Sequence, residues 1–228
     1  AAPKQERPWG QKRVIQPVDL LPMAGKPEEP TSSAGFYPRL QRFLQPTDLL
    51  VSDTGTCLLK LNAMRLPAGV SMESQTLWAS IGWGTPAALG CALADDDRRV
   101  VLVTGDGGHQ LTAQEIGVMG FTGVSPVVIV LNNGLYGVEA LISEVGHAYN
   151  NIPNWRYAEL PKALGCEGWW CGKASTLAEL EAAFAAINQH SGAAYLEVII
   201  PAVESQPLAE DVIEMMHQTQ TPKKGRSN

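Results

Sequence analysis

The chain has 228 residues, 45% of them hydrophobic and 18% charged, which is enough to bury one substantial core. A formal net charge of −6 argues against a nucleic acid or an anionic membrane surface as partner, and no apolar stretch is long enough to span a bilayer. The start carries no signal-peptide pattern, and Cys57, Cys91, Cys166 and Cys171 lack metal-type spacing; each is read as a small buried apolar residue of a reducing cytoplasm, with no disulfide.

Residues 1–30 are punctuated by Pro3, Pro8, Pro17, Pro22, Pro27 and Pro30 among charged residues, a composition that supports neither a helix nor a central strand and reads as an interdomain linker. Residues 31–217 read as the folded domain and 218–228, polar and basic, as a disordered tail. A helix through Tyr37 to Phe43 leads to a strand over Asp48 to Ser52, and a helix from Gly84 to Leu93 leads to a buried strand over Val100 to Thr104. Val127 to Leu131 is a second such run, after a segment of helical spacing with a helix beginning near Gln110. Trp169-Trp170 reads as a strand packed on both sides. Thr176-Leu177-Ala178-Glu179 has capping-box spacing ahead of Leu180, Phe184 and Ile187 on one face, and Tyr195 to Ile200 is a last buried strand. Leu208, Val212, Met215 and Met216 mark a final helix with one apolar stripe. Strands alternating with helices predict an α/β fold, a doubly wound parallel sheet with helices on both faces.

Gly105-Asp106-Gly107 and Asn132-Asn133 close the two central apolar runs. A strand-helix-strand crossover is right-handed, so it lays these strands side by side and opens Asp106 and Asn133 at one carboxyl edge, where ligands bind in such sheets. A carboxylate and an amide oxygen suit Mg²⁺ or Ca²⁺, and magnesium commonly shares its shell with water and substrate phosphates. Gly107 and Gly108 let backbone amides approach a diphosphate closely. Gly-Asp-Gly alone is an ordinary strand-ending turn; joined to Asn-Asn after a second buried strand it predicts a metal-diphosphate site.

These motifs resemble the signature of thiamine diphosphate enzymes, and within them the 2-oxo acid decarboxylases of the pyruvate, indolepyruvate and phenylpyruvate type. The likeness is carried by Asp53-Thr54-Gly55-Thr56, by Leu77 to Gly82, by Gly105 to Ile116, by Asn132 to Glu139 and by Tyr149 to Trp155, and runs from about Ser33 to Ile200. It implies a six-stranded sheet of the thiamine diphosphate-binding fold, with 31–217 as the diphosphate-binding domain and thiamine diphosphate and Mg²⁺ as cofactors. It covers only the last of the family's three domains. The pyrimidine-binding domain, which normally supplies the activating glutamate, is not matched, so the chain, which also lacks an initiator methionine, reads as the C-terminal piece of a larger polypeptide. It is expected to be inactive without that domain. The intact parent is expected to be a cytoplasmic homodimer or homotetramer that converts a small-molecule 2-oxo acid to an aldehyde and CO2.

The resemblance also assigns residues. Asp106, Asn133 and the carbonyl of Leu135, where the family usually has glycine, fall at the metal ligands, with Gly134 available for the turn. Thr56, Gly107, Gly108 and Tyr136 fall at cofactor contacts, although Thr56 is equally well a turn cap. Ala79 replaces a glycine whose carbonyl meets the aminopyrimidine, and Ile81, read at the start of a helix, matches the bulky residue that holds the cofactor bent. Glu139 matches a catalytic acid facing the substrate; a carboxyl in a dry pocket is driven toward its donor form, whereas an ordinary first-turn glutamate merely complements the helix dipole. His109 reads as packing behind the site, with a nearby diphosphate favouring its charged form. A carboligating relative of the acetolactate synthase type and a non-catalytic cofactor-binding module remain alternatives.

Overall fold

The computed structural model describes residues 19–142 and 147–202. The helix read over Leu208 to Met216, the 218–228 tail and the first part of the 1–30 segment lie outside the described residues.

Six parallel strands form one sheet in the order β2-β1-β3-β4-β6-β5, where β1 is Leu49–Ser52, β2 Ser71–Ser74, β3 Val100–Gly105, β4 Val127–Asn132, β5 Trp170–Ala174 and β6 Ala194–Ile199. The continuous apolar runs of β3 and β4 follow from burial on both faces, as parallel sheets require. Alternate residues divide between two cores. Val101, Val103, Ile129 and Leu196 face one with α1 (Ser33–Phe43), α2 (Thr56–Ala63) and α8 (Leu177–Gln189). Val100, Leu102, Val128, Val130 and Tyr195 face the other with α3 (Gly84–Ala94) and α5 (Glu115–Thr122). Where edge strand β5 begins the two tryptophans split likewise, Trp170 of the strand against the first core and Trp169, just before it, against the second, which meets the reading of packing on both sides.

Most elements follow the sequence pattern. Thr176 caps α8 with its side chain accepting from Glu179 N, while Glu179 reaches back to the cap, as the spacing predicts. Helix α1 starts earlier than Tyr37: Ser32 accepts from Gly35 N as N-cap, and the helix runs on through Pro38. Strand β2, Ser-Met-Glu-Ser, has no apolar signature; it sits at the sheet edge, where main-chain pairing to β1 suffices. Cys57 and Cys166 are buried but Cys91 is half-buried and Cys171 exposed on β5, which corrects the reading of every cysteine as buried; all four are free.

The proline-rich approach to the domain is seated on it. Gln41 accepts from Leu21 N at 2.7 Å, Arg39 donates to Ala24 O at 2.8 Å, and Thr31 N donates to Ser175 O at 2.9 Å. Because β2 lies on one side of β1 and β3 on the other, strand order reverses there and a crevice opens past the carboxyl ends of β1, β3 and β4.

Candidate active site

Register brings the motifs together. Gly105 of β3 pairs with Leu131 of β4, so Asp106 and Asn132-Asn133 emerge side by side. Helix α4 (Asp106–Thr112) begins at Asp106 rather than near Gln110, which places Gly107 and Gly108 inside its first turn. In so short a helix the cradle rests on the missing side chains more than on a dipole. A Cβ on Gly107 would stand 2.6 Å from Tyr136 Cε1, and one on Gly108 2.9 Å from Asp53 Oδ2. Neither position admits a larger residue.

Asp106 is buried and organises the opposite loop. Its Oδ1 accepts from Gly107 N at 3.0 Å and its Oδ2 from Gly134 N at 2.7 Å, with Asn133 N–H contributing. Burial nevertheless pushes its carboxyl up to about 6, since those donors only partly offset desolvation. Gly134 takes the positive φ, +72°, so Leu135 has an ordinary backbone angle. Leu135 bridges antiparallel to Asn151 through the bonds Tyr136 N to Asn150 O, 2.8 Å, and Ile152 N to Gly134 O, 3.1 Å. That pattern turns the N–H and C=O of Leu135 itself to the other side, where Asn133 Oδ1 accepts the N–H at 3.3 Å. The carbonyl of Leu135 and the amide oxygen of Asn133 thus lie on the same side of the Leu135 main chain.

One pocket of about 220 Å³ collects the residues read from the sequence. Thr56, Ala79, Ile81, Asp106, Gly107, Gly108, Asn133, Leu135, Tyr136 and Glu139 all line it. Two details differ from expectation. Ile81 lies in a turn ahead of α3, which begins at Gly84, not at a helix start. Glu139, in the first turn of α6 (Gly137–Ile142), is exposed, so the described residues do not enclose it in the dry surroundings expected for it. Ala79 has φ +50°, the single non-glycine residue at positive φ among the described residues, and therefore occupies a backbone position suited to glycine.

The donor set fits a hard divalent cation. Among the described residues no group of three His, Cys, Asp or Glu side chains could hold a metal, so a cation here would rely on one carboxylate, one amide oxygen and one main-chain carbonyl. Oxygen-only sets of this kind suit Mg²⁺ completed by phosphate and water. A cation beside Asp106 would also favour the ionised carboxylate that burial opposes.

His109 lies behind the pocket. Thr85 Oγ1 meets its Nδ1 at 2.9 Å and Tyr195 OH meets its Nε2 at 2.8 Å, both fully buried. Burial lowers its pKa to about 4, so the ring is neutral here, not in the charged form that a nearby diphosphate was expected to favour. Two further features escaped the sequence reading. Gln110 donates to Pro153 O at 2.6 Å and Tyr157 OH at 2.7 Å, and Asn132 donates to Asn154 Oδ1 at 3.0 Å, tying the 150–157 segment across the Asn133 loop. Asp53 is the other. A carboxylate directly after a buried strand was the signal, because loop amides must satisfy it.

Residues 53–198 match the family described as "Thiamine pyrophosphate enzyme, C-terminal TPP binding domain". The chain belongs to this family. The matched residues include every residue that lines the pocket except Ile200. Among relatives, the chain is 37% identical over 201 residues to the alpha-keto-acid decarboxylase of Mycobacterium ulcerans (strain Agy99), covering 88% of this chain and 36% of that protein. It is 40% identical over 196 residues to the alpha-keto-acid decarboxylase of Mycobacterium leprae (strain TN), covering 82% and 34%. The chain thus spans about a third of the length of these relatives. Benzoylformate decarboxylase from Polynucleobacter necessarius shares the fold, with a TM-score of 0.64 at 23% identity over 73% of this chain and 32% of that one.

Proposed function

We propose that the chain is the diphosphate- and Mg²⁺-binding half of a thiamine diphosphate-dependent lyase that converts a 2-oxo acid, pyruvate or an aryl-pyruvate, to an aldehyde and CO2. The observation that carries this reading is the convergence of Asp106, Asn133 and the Leu135 carbonyl with the Gly107-Gly108 cradle on one pocket that also holds Ile81 and Glu139. The names of the relatives, alpha-keto-acid decarboxylases, support the reaction class.

In this reading Asp106, Asn133 and Leu135 hold Mg²⁺. Thr56, Gly107 and Gly108 would meet the diphosphate, with Tyr136 packed on Gly107, while the Ala79 carbonyl would be available to the aminopyrimidine and Ile81 would support the cofactor from the same loop. When bound, thiamine diphosphate supplies the electron sink that a departing carboxylate needs. The chain's share is to place that cofactor and to hold a proton at Glu139 beside the substrate end of the pocket.

The partner that completes the site is a pyrimidine-binding domain. Leu77, 84% exposed, and Trp78, 78% exposed, stand in the loop that carries Ala79 and Ile81, and an apolar rim of this kind supports a covering domain. Its burial would give Glu139 the dry surroundings it lacks here. The intact enzyme is then a homodimer or homotetramer, and the four free cysteines of this chain fit a reducing cytoplasm.

Mixing the chain with a separately produced pyrimidine-binding domain, thiamine diphosphate, Mg²⁺ and a panel of 2-oxo acids tests the proposal. Aldehyde should form only when both domains are present, and Glu139→Gln should slow it by about a hundredfold or more. Tight cofactor binding without aldehyde from any pairing would reduce the chain to a binding module.

A further inference from the structure

Asp53 directly follows β1 with a fully buried carboxylate, and no ion pair among the described residues includes it. Its Oδ1 accepts from Thr54 N at 2.8 Å and from Gly82 N at 3.1 Å, its Oδ2 accepts from the Thr104 hydroxyl at 3.0 Å, and Gly84 N–H adds a further bond. The neighbours are cut back to make room: a Cβ on Gly84 would stand 2.7 Å from Asp53 Cβ.

Each partner leads to a different wall of the pocket. Thr54 precedes Gly55 and Thr56; Gly82 closely follows Ala79 and Ile81; Thr104 precedes Gly105 and Asp106; Gly108 packs directly on Oδ2. The middle wall is the one that needs an anchor, because residues 76–81 are all exposed and Ala79 is held at φ +50°. A buried carboxylate left with fewer donors would cost more than a neutral acceptor, so the charge is tolerated only while these loop amides stay in place.

We infer that Asp53 is a positioning residue: it fixes the three walls of the pocket relative to one another, and thereby sets affinity for a diphosphate-bearing cofactor. The affinity half of this inference rests on the cofactor reading above; the positioning half does not. Asparagine is the informative replacement. It keeps an acceptor for Thr54 and Gly82, and its amino group can face Thr104, whose hydroxyl turns to accept. Alanine keeps none of these.

The test compares the wild-type chain with Asp53→Ala and Asp53→Asn in two measurements. Hydrogen exchange without cofactor follows peptides containing Gly82 and Gly84, with α8 as internal reference. Asp53→Ala should speed exchange there about tenfold beyond any change in α8, and Asp53→Asn should bring it back to within about threefold of wild type. Titration of thiamine diphosphate with Mg²⁺, read by tryptophan fluorescence, should show about tenfold weaker binding for alanine and near-wild-type binding for asparagine. If alanine does not yield folded protein, Thr104→Val removes a single donor and should raise exchange at Gly82 by about threefold. Exchange at Gly82 that changes no more than α8, or asparagine no better than alanine, overturns the positioning role. No cofactor binding by the wild-type chain would instead overturn the cofactor reading, with the exchange result still deciding the role of Asp53.

Discussion

Lowering the pH should destabilise this fold through His109, and by a calculable amount. The ring is fully buried between the Thr85 and Tyr195 hydroxyls and holds its proton only below about 4, whereas an unfolded histidine titrates near 6.5. The folded-state value is the lower one, so the native chain binds fewer protons than the unfolded chain between these limits. The contribution to stability is whole above pH 6.5 and drains away as the pH falls toward 4. At about pH 5 the loss amounts to about 2 kcal/mol. Asp53 and Asp106, raised by burial, act in the opposite sense, so the effect must be taken as a difference between two chains. His109→Gln keeps a donor and an acceptor but does not titrate. Urea unfolding of both chains at about pH 7.5 and about pH 5 should show the wild type losing about 2 kcal/mol more than His109→Gln. Equal losses would refute the buried neutral ring.

Gly107→Ala drives a methyl into the Tyr136 ring, at 2.6 Å from Cε1, and should cost about 1–3 kcal/mol in thermal unfolding while weakening diphosphate binding; an unchanged affinity would separate Gly107 from the cradle. Ala79→Gly releases a left-handed alanine at φ +50° and should raise stability by about 0.5–1 kcal/mol, a gain that denaturant unfolding would detect; a loss would mean the loop does not hold that angle.

The interior of the sheet was legible because each central strand is apolar on both faces, and β3 and β4 could be recognised from composition alone. Strand β2 was not, since its bonds to β1 come from the main chain and its side chains are Ser, Met, Glu and Ser. At the site, the ten residues read from the motifs meet at one pocket because strand ends in a parallel sheet converge on one edge. Distances along the chain could not convey what lies across it. Glu139 was placed correctly in a first helical turn, yet how dry its surroundings are depends on what covers the pocket, which its position in a helix does not convey. Asp53, Gln110 and Asn132 act on loops far away in sequence, through single hydrogen bonds that no periodicity encodes.

The central claim is that the Asp106, Asn133 and Leu135 oxygens clamp a divalent cation onto a diphosphate. Isothermal titration of thiamine diphosphate into the wild-type chain and into Asp106→Ala, each with and without Mg²⁺, tests it directly. Wild-type binding should depend on Mg²⁺, and Asp106→Ala should lose that dependence and about a hundredfold or more in affinity while keeping its circular dichroism spectrum. A folded Asp106→Ala chain that binds the cofactor as tightly as wild type, with the same response to Mg²⁺, would contradict the account.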